Sequence, residues 1–151
     1  MSPDVQIKAA TASDAESVRA LLREADLPVE GLEEFFGEGY AIAEAAGTIV
    51  GAEGIEVYGQ DGLLRSAVIA RPWRGKGVGE ALTRNRIAWA RARRLRALYL
   101  LTTTAGDYFP RFGFARADRA IAPDGIRASR EFTGACPASA TFMYLPLGGE
   151  D

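Results

Sequence analysis

Apolar and polar residues alternate weakly in VQIKAAT, residues 5–11, a period of two that reads as a strand. TASDAESVRALLREADLP, residues 11–28, changes to helical spacing, with Val18, Leu21, Leu22 and Ala25 on one stripe. Thr11 or Ser13 is available as its N-cap, with Glu16 as the matching acid of a capping box, and Pro28 ends the helix. VEGLEEFFGEG, residues 29–39, predicts a short second helix carrying Leu32, Phe35 and Phe36.

Three β-like segments follow in succession: YAIAEAAG, TIVGAEGIEVYG and GLLRSAVIA. Gly47 marks a tight turn between the first two and YGQDG between the second and third, so they predict an antiparallel meander. Behind it Val78, Leu82, Ile87, Trp89 and Ala90 populate a long helix. ALYLLTTT reads as a buried strand, AGDYFPRFGFARA as a short helix, a turn and a strand, PDGIRASREF as a small helix, and ASATFMYLPL as a closing strand. No internal repeat, low-complexity tract or linker interrupts the series, which predicts one mixed α/β domain over residues 1–151.

Composition narrows the classes. A chain of 151 residues is most simply one domain with one substantial core, and 48% hydrophobic with 25% charged residues is an ordinary globular balance. No apolar run approaches the ~20 residues of a membrane helix. The start, MSPDVQIKAATASDAE, has neither the basic region nor the apolar core of a signal peptide. A net charge of −2 argues against general nucleic-acid binding. The single Cys136 allows no internal disulfide and fits a reducing, cytoplasmic compartment. Without any histidine, histidine triads and histidine–metal sites are excluded.

The chemistry begins at RPWRGKGVGEALTRNRIAWARARR, residues 71–94, where three glycines precede the long helix. Each glycine weakens a helix start. The first-turn amides of a helix, however, lack internal partners and attract anions. Gly75, Gly77 and Gly79 leave those amides bare, and Arg74 and Lys76 add charge. A plain strand-to-helix turn needs one positive φ, so three alternate glycines favour a phosphate ligand. The P-loop string is absent, and the spacing 75, 77, 79 after an antiparallel meander does not match a dinucleotide fingerprint.

The stretch does resemble the GCN5-related N-acetyltransferases (GNAT), whose Q/R-x-x-G-x-G/A signature is matched by Arg74, Gly77 and Gly79 around Val78. TTTAGDYFPRFGF is similar to the family's second block, and the order of segments agrees along nearly the whole chain. The resemblance implies an α+β GNAT fold, with a mixed, mostly antiparallel sheet of about six to seven strands flanked by helices. It implies acetyl-coenzyme A as co-substrate, without a metal. The pyrophosphate would rest on residues 74–79, the pantetheine arm along Val68, Ile69 and Ala70, with Thr102 a further cofactor contact. That mode uses main-chain hydrogen bonds and tolerates varied side chains. YGQDGLLRSAVIA, LYLLTTTAGDYF and IRASREFTGACPASATFMYL resemble a narrower branch, acetyltransferases associated with bacterial arsenic-resistance operons.

Acetyl transfer requires that the amine lose its proton, that the oxyanion meet donors and that the thiolate leave. Without histidine, the base is a carboxylate or solvent. Glu56 is the favoured base and Glu53 its rival, each also readable as an ordinary strand carboxylate. Period two puts Glu53 with Ile49, Ile55 and Val57, and Glu56 with Ala52 and Tyr58, so the two point oppositely unless Gly54 bulges the strand. The oxyanion donor would be a backbone N–H near Ile69 or Ala70.

The family often places an acidic tyrosine four residues before the glycine of its G-F pair; here Phe109 stands there, and Tyr108 is adjacent. Tyr108 is either the acid or a packing aromatic, since a one-residue shift turns a helical side chain by about 100°. Arg65 and Ser66 are candidates to hold an anionic acceptor, or Arg65 is a surface or dimer-edge arginine. Cys136 reads as a packed lone thiol, and RARRLR as a complement to a helix C-terminus. The expected reaction is acetylation of a small-molecule amine. The alternatives are protein-terminus or lysine acetylation, and acyl-coenzyme A sensing without turnover. A homodimer, the family's usual habit, is expected, with neither nucleic acid nor membrane as partner.

Overall fold

The structure, a computed structural model, describes residues 5–27, 29, 32, 36, 39–102, 106–129 and 140–148, without the side chain of Ser66. Most of the expected second helix, Pro28 and Cys136 lie outside these residues. The chain forms β1 (Val5–Ala9), α1 (Ala15–Glu24), β2 (Tyr40–Ala45), β3 (Thr48–Tyr58) and β4 (Asp61–Ile69). It continues through α2 (Val78–Ala92), β5 (Ala97–Thr102), β6 (Ala115–Arg116), α3 (Asp124–Arg127) and β7 (Thr141–Pro146). Hydrogen bonding orders the seven described strands β1-β2-β3-β4-β5-β7-β6. The β4–β5 pairing is parallel, Asp61–Leu63 against Ala97–Tyr99, and the others whose register is defined are antiparallel. This is the mixed α+β arrangement expected.

The chain divides into two compact units, Met1–Ile55 with Ser66–Trp89, and Glu56–Arg65 with Ala90–Asp151. In the first, Val18 and Leu22 of α1 are fully buried with Leu32, Tyr40, Ile42 and Ala52. A second cluster joins Ala41, Ala43 and Val50 of the strands to Val78 and Leu82 of α2. In the second unit, Leu63, Tyr99, Leu101, Ile126 and Phe142 form the core.

Three local features change or extend the expectations. The residue that caps the helical segment is Thr11, but its backbone N–H donates to Asp14 at 2.8 Å, and Glu16 instead reaches Arg19 at 3.4 Å. A 3-10 turn over Ala12–Asp14 precedes α1, which brings the nearer acid into capping range. Both long helices end on a non-glycine residue in the left-handed region, Asp26 (φ 59°) and Arg94 (φ 61°). Leu27 N–H bonds the Leu22 carbonyl and Leu95 N–H the Ala90 carbonyl, the six-to-one closure of a Schellman motif.

The third change is in β3. Ala43 pairs with Gly51 but Glu44 with Ile49, so Val50 is an extra residue in the strand. Ile49 consequently packs with the α1-side cluster, while Val50 joins the cluster beneath α2. Glu53 therefore does not share its face with Ile49. It lies opposite Ala41 in the register, on the face that α2 covers.

Candidate active site

The glycine loop is built by the end of β4. Ala70 N–H bonds the Val50 carbonyl, a 3-10 turn over Arg71–Trp73 follows with the Trp73 N–H bonded to the Ala70 carbonyl, and Arg74 then runs extended. Gly75 and Gly77 take φ values of 77° and 85°, conformations that side chains other than glycine adopt at a cost. A Cβ at either would meet nothing within 4 Å, so the constraint there is backbone shape together with open space in front of it. Gly79 is different: it lies inside α2 with helical geometry. The first internal amide bond of the helix runs from Ala81 to the Gly77 carbonyl, leaving the preceding amides to face outward. Left-handed residues alternating along such a loop make a concave nest of N–H groups that suits an anion.

Lys76 and Arg74 are both exposed. The Arg74 side chain turns back, its Nε donating to the Ile69 carbonyl at 3.0 Å. Val68 is buried, while Ile69 and Ala70 are half-buried and lie beyond the stretch of β4 that pairs with β5.

The two strand carboxylates are both buried, each about 1% exposed. Glu53 meets α2: the Thr83 hydroxyl lies 2.8 and 3.1 Å from its two carboxyl oxygens. Burial pushes this carboxyl up to about 8, against the smaller opposing effects of the Thr83 hydrogen bond and the Arg86 charge. Burial likewise pushes Arg86 down to about 10, with Glu53 acting the other way. The Arg86 guanidinium donates to Asn85 and stacks 5.1 Å from the Trp89 ring.

Glu56 sits in a contrasting setting. Its Oε2 takes a 2.8 Å ion pair from Arg65 Nη1, and its Oε1 accepts a 2.6 Å hydrogen bond from the Tyr58 hydroxyl. Tyr58, two residues along the strand, shares its face, as the alternation requires. The structure thus unites Glu56 with Arg65, and it adds Tyr58, which sequence reasoning placed on the same face without giving it a role. Thr83 and Arg86 were missed outright. A hydroxyl next to Leu82 carries no signal until the facing strand is known.

Thr102 ends β5 and is half-buried. Tyr108 precedes the expected short helix, a 3-10 turn over Phe109–Phe112. Its ring packs edge-on against Phe109 and Phe112, and Arg111 lies 4.6 Å from its centroid. Phe109 is buried against Phe114.

The model of the acetyltransferase (GNAT) family matches residues 10–114. The chain belongs to that family. No curated protein matches the sequence. Among solved structures, N-acetylglutamate synthase from Neisseria gonorrhoeae, complexed with coenzyme A and N-acetyl-glutamate, aligns with a TM-score of 0.83 at 22% identity, covering 97% of this chain. The chain spans only 36% of that synthase. Rv2747 from Mycobacterium tuberculosis, in complex with coenzyme A, aligns at 0.80 and 20% identity over 94% of this chain and 99% of its own. The ribosomal-protein-S18-alanine N-acetyltransferase from Escherichia coli aligns at 0.74 and 16% identity, over 95% and 94%. The GNAT family is one of acetyltransferases. Among the described residues no helix is long and apolar enough to cross a membrane.

Proposed function

We propose that this GNAT enzyme acetylates the amine of a small molecule, using residues 1–151 as a single acetyltransferase domain. The observation that carries the cofactor assignment is the loop at the start of α2, with Gly75 and Gly77 left-handed, open space before them and unpaired first-turn amides behind. In this reading Arg74, Gly75, Lys76, Gly77, Val78 and Gly79 hold the pyrophosphate. Val68, Ile69 and Ala70 offer main-chain groups to the pantetheine arm, and Thr102 adds a contact. Of the expected backbone amides near Ile69 or Ala70, the Ala70 N–H is bonded to the Val50 carbonyl, so a backbone amide near Ile69 is left to polarise the thioester carbonyl. The amine gives a proton to Glu56, its nitrogen bonds the acetyl carbon, and the carbon–sulfur bond breaks to release a thiolate.

Arg65 and Ser66 are proposed for the acceptor. The Arg65 ion pair with Glu56 means that an acceptor carboxylate would have to compete with an internal one. Tyr108, edge-packed on two phenylalanines, supports the packing role rather than that of an acid. An amino-acid-like acceptor, or an arsenic- or phosphorus-containing analogue in keeping with the resemblance to the arsenic-resistance branch, fits this proposal. So do a cytoplasmic homodimer and the absence of nucleic acid or membrane partners.

Protein acetylation is the second reading, and the similarity to the S18-alanine acetyltransferase favours it. Phe109, in the place of the family's frequent tyrosine, favours acyl-coenzyme A sensing without turnover. A coenzyme A release assay across amino acids, polyamines, aminophosphonates and short peptides separates the three. Turnover with a small amine supports the proposal, turnover with peptides alone supports the second reading, and acetyl-coenzyme A binding without release under any acceptor supports a sensor.

A further inference from the structure

We infer that Glu53 is a positioning residue for the cofactor loop: buried beneath α2 against Thr83, it holds the helix on β3, and its loss of a proton weakens acetyl-coenzyme A binding. The inference rests on the assignment of the glycine loop to the cofactor. Glu53 lies on β3 opposite Ala41, on a face otherwise made of Ala43, Val50, Val78 and Leu82. Into this apolar layer it brings a carboxyl that is 1% exposed. Thr83, on the sixth residue of α2, touches both carboxyl oxygens, at 2.8 and 3.1 Å. Thr83 is about 7 Å along the helix axis from Val78, where the exposed amides begin. A shift of the helix on its seat is carried to those amides, because a helix moves as a stiff rod over so short a distance.

The groups that face Glu53 decide how it responds to pH. From α2 they are the neutral Thr83 hydroxyl and the Arg86 guanidinium. From β2 the register partner is Ala41, which offers no charge. Arg86 is already engaged by the Asn85 carbonyl and the Trp89 ring, and it opposes the effect of burial on Glu53 only in part. The uncharged acid keeps the Thr83 contact and needs no countercharge in this apolar layer. The carboxylate has to draw Arg86 closer or admit water, and either movement reseats α2. No group of the proposed chemistry needs Glu53 for proton transfer, so its effect reaches the reaction through the loop alone.

Titration calorimetry with acetyl-coenzyme A from about pH 6.5 to about pH 9.5 tests this; the acetylated thiol does not titrate in that range. The wild-type affinity is expected to fall roughly ten-fold, the scale of a modest coupling free energy, around a midpoint near 8. Glu53→Gln keeps the shape of the neutral acid and is expected to hold the low-pH affinity throughout. Thr83→Val removes the hydroxyl that favours the ionised form, and its midpoint is expected to move to higher pH. Circular dichroism at each pH confirms that the proteins compared are folded. Should Glu53→Gln not fold, the Thr83→Val midpoint decides. A wild-type affinity that is constant with pH, a Glu53→Gln variant that loses affinity as the wild type does, or an unmoved Thr83→Val midpoint overturns the inference. A wild type that binds no acetyl-coenzyme A at any pH overturns the loop assignment beneath it, and the two failures are therefore distinct.

Discussion

Glu53 and Glu56 stand three residues apart on one strand, equally buried, yet they end in opposite chemical circumstances. Glu53 meets a helix that offers it a hydroxyl beside the alanines of β2, and burial drives it toward the neutral acid. Glu56 meets a guanidinium at 2.8 Å and a phenol at 2.6 Å and takes part in an ion pair. Burial alone therefore does not decide what a carboxyl does. The partner on the facing element does, because an unpaired charge costs several kcal/mol in a low-dielectric interior and a paired, hydrogen-bonded one much less.

The contrast can be broken first at the reaction. If Glu56 takes the proton of the amine, Glu56→Gln should lower the rate at neutral pH by roughly 10²–10⁴ with cofactor affinity intact. An unaltered pH–rate profile would hand the role to water or to Glu53. Stability comes next. Glu56→Leu removes the carboxylate that lies 2.8 Å from buried Arg65 and should cost about 3–5 kcal/mol in urea unfolding, while Arg65→Met added to Glu56→Leu should restore most of it. A double variant no more stable than the single one would show that the pair is not what holds these side chains in the core.

Glu53 should give the opposite kind of pH dependence from a salt-bridged acid. Its folded value lies above its unfolded one of 4.5, so the folded state holds the proton longer. Its contribution is full below about 4.5 and is lost as pH rises toward about 8, a change on the order of a few kcal/mol. Glu53→Gln should remove that slope from the unfolding free energy measured across this window. A wild-type slope retained in the variant would assign it to other groups.

Smaller effects separate the loop from the aromatic turn. Gly79 is helical, so Gly79→Val tests bulk before the amides without a left-handed penalty, whereas Gly77→Val mixes bulk with strain. Gly79→Val should weaken acetyl-coenzyme A binding at least ~10-fold, about 1.4 kcal/mol, with the fold kept. Unchanged affinity in calorimetry would remove the loop from the site. Tyr108→Phe should be the mildest change. Its ring packs on Phe109 and Phe112 whether or not it bears a hydroxyl, so turnover should hold within about three-fold. A ~100-fold loss in single-turnover acetyl transfer would make Tyr108 the acid.

Neighbouring residues together decide much of this protein. The strand alternation, the α1 stripe, the two tight turns of the meander and the glycine loop all rest on contacts within a few residues, and those local patterns also carried the likeness to GNAT. A cap at Thr11 or Ser13 was legible for the same reason, although the choice of Thr11, and of Asp14 over Glu16, depended on a 3-10 turn that spacing alone does not mark. Only the tertiary structure decided the bulge at Val50, which moves Ile49 to the other face by inserting one residue into a period of two. It alone decided that Glu53 meets Thr83, thirty residues away in the chain, and that Arg65 pairs with Glu56. The physical reason is that a buried group's protonation and availability are set by the charge and hydrogen-bonding capacity of whatever packs across from it. That partner belongs to another element, and the folded chain chooses it.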